Sequence, residues 1–479
     1  MTIKFGTDGW RAVIAETFTF ENLRLVSQAA ADYWLEIAPD PNPEVVIGFD
    51  TRFLSDRFAA EVARVMAANG IISHLARADA PTPAISYNIV HKKAIGGVMI
   101  TASHNPPRYN GFKVKAAYGG AAAKQQINVI EQKLFAVSDR FGANLMDFQK
   151  AQERELIRKF DPAWPYYEHL TTSLVNMDII SNGELKVVAD AMYGAGRGVF
   201  GEVLSRTRTK IRQLHSDMNP GFGGIHPEPM GKNLKELVTA VQNENAHLGL
   251  ATDGDADRIG AVDEQGNFVD PHTIMALTVR YLVEKRGLTG GIAKTISSTL
   301  MLNRLAQKYG LALHETPVGF DVIARLMIDD DILLGGEESG GISIKGHIPE
   351  GDGILMGLLL MEIVAEAGVP LSELVADLQK TVGPAVYCRD DVRLKQFVAK
   401  KEMVQRLVDK TPQKIAGESV VGVDSYDGVK YRLADDSWLL IRPSGTEPML
   451  RIYAEAGTEA AVQELLKTGR QLAISDGES

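Results

Sequence analysis

Apolar residues fall in short runs between polar, glycine-marked turns, and the runs alternate between two periods. Glu44 to Asp50 (EVVIGFD) is continuous and too short for a helix, so it reads as a buried strand. From about Asp56 to Ala68 the period lengthens. Ala59, Val62, Ala63 and Met66 share one helical face, Ser55 stands where a cap belongs, and Asn69-Gly70 ends the helix. Gly97-Val98-Met99-Ile100 is the next buried strand, and strand, helix, strand implies a parallel sheet. Similar alternation follows. Strands are expected over Glu184–Ala191, His247–Thr252, Ala293–Ser297, Gly310–Thr316 and Ile332–Leu334, with helices over His272–Lys285 and Ile354–Ala367. The end of the chain differs: Val429–Leu433 and Trp438–Ile441 alternate as antiparallel strands, then come a strand over Leu450–Ala454 and a helix from about Glu459.

A polar stretch from Lys150 to Lys159 leads into Asp161-Pro162-Ala163-Trp164-Pro165, which reads as a linker. The expected units are therefore 1–163, 164–267, 268–383 and 384–479. Of the 479 residues 45% are hydrophobic and 23% charged, ordinary values for a globular protein. The net charge of −10, without a basic run, argues against nucleic acid as a partner. A single cysteine, Cys388, excludes an intrachain disulfide and a cysteine-built metal site, and suits a reducing cytosol. The amino-terminal residues show no signal-peptide pattern, and the apolar run Ile354–Met361 is too short to span a bilayer, so a cytoplasmic protein without a membrane partner is expected.

Four loops carry candidate chemistry. Thr101-Ala102-Ser103-His104-Asn105-Pro106-Pro107 follows a strand, where open α/β sheets keep their ligand sites. Ser103 is a nucleophile only if something activates or modifies it; the plainer reading is an Asn/Pro turn. Tyr109-Asn110-Gly111 reads as a tight turn, after which Lys113 either returns toward Ser103 or is a solvated strand lysine. Near the amino terminus Gly6-Thr7-Asp8-Gly9 presents Arg11, whose fork suits a phosphate.

Asp253-Gly254-Asp255-Ala256-Asp257-Arg258 places three aspartates at alternate positions, able to converge on one hard cation, for which Mg²⁺ is the expectation. An EF-hand loop is disfavoured, because Arg258 stands where that loop needs glycine and both flanks read as strands. Gly194-Ala195-Gly196-Arg197-Gly198 reads as a strand-to-helix turn rather than a dinucleotide site. Gly335-Gly336-Glu337-Glu338-Ser339-Gly340-Gly341 offers Glu337 and Ser339 to a pair of hydroxyls, or is a charged glycine turn. Arg442-Pro443-Ser444-Gly445-Thr446-Glu447-Pro448 is an anion cradle or a plain turn.

Together, in this order, the four loops resemble those of the α-D-phosphohexomutase superfamily, in particular its bacterial phosphoglucomutase/phosphomannomutase branch. The resemblance implies four domains around a central cleft: three α/β domains with mixed sheets and a smaller α+β domain at the carboxyl end. It implies that Ser103 carries a phosphoryl group and that Asp253, Asp255 and Asp257, with a phosphoserine oxygen, hold Mg²⁺. Arg11, His104, Lys113 and Arg258 would surround the phosphoserine. Gly319, Glu337 and Ser339 would serve the sugar, and Arg442, Ser444, Gly445 and Thr446 the non-reacting phosphate. The implied reaction interconverts hexose 1-phosphate and hexose 6-phosphate, glucose or mannose, through a hexose 1,6-bisphosphate, by a monomer or dimer whose partners are small sugar phosphates. Its rivals are a hexose 1,6-bisphosphate synthase of the same fold and a non-catalytic sugar-phosphate sensor. One departure stands out: many relatives carry Lys where Asp321 follows Gly319-Phe320.

Overall fold

The computed structural model describes residues 3–6, 8–139, 142–394, 399–443 and 449–474. Its strands form four sheets. The first has six strands in the order Trp10–Val13, Tyr109–Ala116, Gly96–Ile100, Glu44–Phe49, Ile72–Ala76, Ile157–Phe160. The second runs Phe268–Val269, Ile259–Asp263, Leu248–Thr252, Lys186–Asp190, Lys210–Leu214, so it reaches just past the 267/268 boundary. The third runs Leu313–Thr316, Gly291–Thr295, Ile332–Gly336, Ile342–Ile344.

One unit recurs in all three. Two parallel strands, each followed by a helix, lead to a third parallel strand, and a short loop then turns into an antiparallel neighbour. Helical crossovers suit parallel strands, whereas an antiparallel return needs only a short connection. That connection is Thr101–Arg108 in the first unit, Asp253–Arg258 in the second and Glu337–Gly341 in the third. Three of the four candidate loops thus occupy one topological position, at the carboxyl end of the third parallel strand. These strands are buried along their whole length, which explains their unbroken apolar runs.

The fourth sheet is antiparallel, with six strands between Val386 and Ala456 and the helix Glu459–Ile474 packed on it. Its core, including Tyr431, Leu439, Ile441, Ile452 and Leu465, is separate from those of the other units. The apolar helix Gly353–Ala367 is a core helix whose first twelve residues are buried. No single helix among the described residues is long and apolar enough to cross a membrane.

The structure corrects two local expectations. Ser55 does not cap the helix Ser55–Ala68; Leu54 occupies that position in left-handed geometry, and the Ser55 hydroxyl bonds Asp50 at 2.8 Å. Asn110-Gly111 is not a turn but lies inside the strand Tyr109–Ala116, where a Cβ on Gly111 would fall 2.3 Å from the Thr101 carbonyl oxygen. The polar stretch Lys150–Lys159, ahead of the expected linker, contributes to a short helix, Phe148–Glu153, and to the edge strand Ile157–Phe160, which completes the first sheet.

Candidate active site

Ser103 is fully buried, and its backbone is left-handed at φ 49°, unusual for a residue with a Cβ. Its hydroxyl donates to Asp253 Oδ2 at 2.7 Å, and His104 Nδ1 lies 3.4 Å from Ser103 Oγ. The serine and aspartate loops touch because residue 254 is glycine: a Cβ there would fall 2.4 Å from the Ser103 carbonyl oxygen. Gly194 and Gly196 serve the same contact from behind, where a Cβ would meet the Asp253 carbonyl at 2.7 Å and the Thr252 hydroxyl at 2.5 Å. That is the role of the glycine-rich turn after Lys186–Asp190.

Asp253, Asp255 and Asp257 are buried, with one oxygen from each lying within 4.8 Å of the others. Asp255 Oδ2 accepts from Thr82 Oγ1 at 2.7 Å and from Lys113 Nζ at 2.9 Å; Asp257 Oδ2 accepts from Lys113 at 2.9 Å. Oδ1 of Asp255 and Oδ1 of Asp257 are buried, yet neither has a donor among the described residues. Burial, followed by the charges of Asp257 and Asp255, pushes the Asp253 carboxyl well above its usual range. Clustered buried carboxylates with unmatched oxygens are what a hard divalent cation satisfies, so this residue set fits one.

Cations flank the serine. Lys113 is 1% exposed, not solvated, and also reaches Asp8 at 2.8 Å. Burial opposes its charge, but Asp255, Asp257 and Asp8 more than offset this and hold the ammonium protonated far above neutrality. Arg11 donates to Asn105 Oδ1 at 2.8 Å and to Asp8 at 3.0 Å, which fixes it over the Ser103 loop. Burial depresses His104 well below the usual imidazole range, and Arg258, Arg11, His226 and Lys113 push it further, so it is neutral at pH 7. Arg258 faces Asp257 and bridges by its backbone to Gly341, joining the aspartate loop to the glycine-rich loop of the third unit.

In that loop Glu337 Oε1 accepts from Gly319 N at 2.9 Å, and Ser339 Oγ lies 3.5 Å from the other carboxylate oxygen. Gly319 has φ 140°, and a Cβ there would crowd Asp321 Oδ1 at 2.7 Å. Burial, with Glu338 adding, raises the Glu337 carboxyl to about 8. Asp321 sits in the first turn of the helix Phe320–Asp329, where a carboxylate complements the helix dipole. From the fourth unit Arg442 Nε donates to Asp427 Oδ2 at 2.9 Å, and the same oxygen accepts from Val318 N at 2.9 Å, which ties Arg442 to the Gly319 segment. Ser444, Gly445 and Thr446 lie outside the described residues.

Ser103, His104, Lys113, Arg11 and the three aspartates are therefore in one contact network, with Arg258 linking it to the Glu337 loop. Sequence reasoning passed over Asp8, Thr82, His226 and Arg52. Asp8 stood in a motif already singled out for Arg11, whereas Thr82 opens a helix whose sequence carries no sign of its distant partner.

Profiles described as phosphoglucomutase/phosphomannomutase α/β/α domains I, II and III and C-terminal domain match residues 2–140, 164–266, 270–382 and 398–469. A phosphoglucomutase/phosphomannomutase of Thermococcus kodakarensis is 32% identical over 474 residues, covering 98% of both chains. A phosphoglucosamine mutase of Frankia alni is 33% identical over 481 residues, covering 97% of this chain and 96% of its own. A crystal structure from Thermus thermophilus, described as a phosphomannomutase, superposes with a TM-score of 0.86 at 34% identity, covering 98% of this chain and 99% of that one.

Proposed function

The chain belongs to the phosphoglucomutase/phosphomannomutase family, and we propose that it interconverts hexose 1-phosphate and hexose 6-phosphate, of glucose and/or mannose, with Ser103 as phosphoryl carrier and Mg²⁺ as its metal. The observation that carries this reading is the contact between the Ser103 hydroxyl and Asp253, in a buried aspartate triad where Asp255 Oδ1 and Asp257 Oδ1 lack donors among the described residues. Asp253, Asp255 and Asp257 would hold Mg²⁺, which neutralises charge on the transferring phosphoryl group when bound.

In the first half-reaction the bond between phosphorus and Ser103 Oγ breaks as the free sugar hydroxyl forms a bond to phosphorus, giving a hexose 1,6-bisphosphate. His104, neutral and beside Oγ, takes the proton of the attacking hydroxyl and gives it to the leaving Ser103 oxygen, while Lys113 and Arg11 balance the negative charge. In the second half-reaction Ser103 Oγ attacks the other phosphate, its proton passes through His104 to the freed sugar oxygen, and the isomer leaves. Glu337 and Ser339 accept sugar hydroxyls in both orientations, and Arg442, with Ser444, Gly445 and Thr446, grips the phosphate that is not reacting.

A second substrate reading, glucosamine phosphate, is favoured by the phosphoglucosamine mutases among the relatives, 31% to 33% identical over nearly the whole chain. Comparing kcat/KM for glucose 1-phosphate, mannose 1-phosphate and glucosamine 1-phosphate, with catalytic hexose 1,6-bisphosphate present, ranks the substrates. Turnover of none of the three would overturn the mutase reading. Stoichiometric release of bisphosphate without isomer would assign the chain as a synthase, and phosphate-free binding without turnover as a sensor.

A further inference from the structure

Arg52 follows the strand Glu44–Phe49 in the segment Phe49-Asp50-Thr51-Arg52, and its side chain is wholly buried. Its two terminal nitrogens make four hydrogen bonds to backbone carbonyls, three in the serine loop and one on Tyr109, the first residue of the strand that follows it. Nη2 donates to Ser103 O at 2.5 Å and Asn105 O at 2.6 Å. Nη1 donates to Pro106 O at 2.9 Å and Tyr109 O at 3.0 Å. Nε stands 3.1 Å from Asp50 Oδ2, and the ring of Phe222, from the second unit, covers the guanidinium at 4.8 Å.

Asp50 completes the frame. Its Oδ2 accepts from Thr101 Oγ1 at 2.7 Å, and that hydroxyl oxygen accepts from Ser103 N at 2.8 Å. Both backbone polar groups of Ser103 are thus held by one ion pair, the carbonyl by Arg52 directly and the N–H by Asp50 through Thr101. Asp50 Oδ1 is itself fixed by the Ser55 hydroxyl at 2.8 Å and Arg52 N at 2.9 Å. A left-handed serine persists only where its surroundings determine it, and these contacts do so.

We propose that Arg52, backed by Asp50 and Thr101, is a positioning residue that locks the Ser103 backbone in its left-handed state, so that the phosphoryl group stays in line with the substrate at both transfers. The proposal rests on Ser103 as phosphoryl carrier. The side-chain hydrogen bonds of Arg52 go to backbone carbonyls and to none of the three aspartates, so it acts through the carbonyl of Ser103. Only a planar fork spans four carbonyls at once; a lysine keeps the charge but offers a single nitrogen.

The test compares wild type, Arg52→Lys and Thr101→Val, with folding checked by circular dichroism and thermal midpoint. Each is loaded from hexose 1,6-bisphosphate, and loading is read by intact mass; ³¹P NMR then reads the phosphoserine resonance, and kcat and KM are measured separately. Both variants are expected to load phosphate and keep KM within roughly threefold, while kcat falls by about 10²-fold and the phosphoserine resonance shifts or broadens. Should Arg52→Lys fail to fold, Thr101→Val, which deletes one hydroxyl at nearly constant shape, decides alone. A folded variant with a lowered melting point but kcat within threefold of wild type overturns the proposal, as does a loss carried by KM. Wild type that takes no phosphate overturns the phosphoserine reading beneath it, a result distinguishable from failure of the variants.

Discussion

Around Ser103 the protein supplies most of the polar partners itself. Lys113 is shared by three carboxylates, Arg11 is tied to Asn105 and Asp8, and Asp255 is braced by Thr82. Around Glu337 the contacts are sparser: one backbone N–H at 2.9 Å and a hydroxyl at 3.5 Å, with burial keeping the carboxyl protonated at neutral pH. In the proposed reaction the first region is preorganised to hold charge that appears during phosphoryl transfer, which is where fixed dipoles contribute most to rate. The second leaves hydrogen-bonding capacity for a ligand. That suits a substrate that must be read in two orientations, since contacts saturated by the protein could serve neither.

If the two regions divide the work in this way, substitutions should separate them kinetically. The largest effect belongs to the first. Asp255→Asn removes one carboxylate from the triad and one anchor of Lys113, and kcat should fall by about 10²-fold or more with KM little changed. A chelator should abolish activity and Mg²⁺ restore it; full turnover with Ca²⁺ would show that the site is not selective for octahedral geometry.

In the second region Arg442→Ala should weaken both isomers alike. Loss of a hydrogen bond to a charged group costs about 1.5–3 kcal/mol, so KM should rise by roughly tenfold or more for each. Loading of Ser103 from bisphosphate at saturating concentration should survive. An effect on one isomer alone would mean that Arg442 reads one end of the sugar.

The last effect concerns pH, and bears on stability and not on rate. The carboxyl of Glu337 is raised to about 8 against an ordinary value of 4.5. The folded protein therefore binds a proton there that the unfolded chain releases. Its contribution to stability is fully present below about pH 4.5 and is lost as pH rises through about 8. Glu337→Gln should flatten the fall in melting temperature between those limits, and an unchanged slope would show that Glu337 is already ionised.

Much of this was legible in the chain. The aspartate loop was readable because acidic residues at alternate positions between two apolar strands have few other uses, and Ser103 because its loop follows an apolar run directly. What escaped depended on long-range pairing. Asn110-Gly111 has the composition of a turn, yet Gly111 is there so that the strand can pass the Thr101 carbonyl. Lys113 looked equally like a surface lysine, and only the pairing of its strand with Gly96–Ile100 and Trp10–Val13 buries it. Ser55 and Arg52 are ordinary residues of a helix start and a loop, and nothing local says that their partners lie some fifty residues away, in the serine loop and the strand after it. The repetition of one unit across three sheets was also invisible, because it resides in topology and not in shared residues.

The most direct test of the account is to follow one phosphoryl group. Enzyme loaded at Ser103 with ³²P is mixed with unlabelled hexose 1-phosphate in a single turnover, and the products are separated. The account predicts that label leaves the protein and appears at C6 of hexose 6-phosphate and of the bisphosphate, while Ser103 regains unlabelled phosphate from C1. Label that stays on the protein while isomer forms, or leaves only as inorganic phosphate, would contradict it.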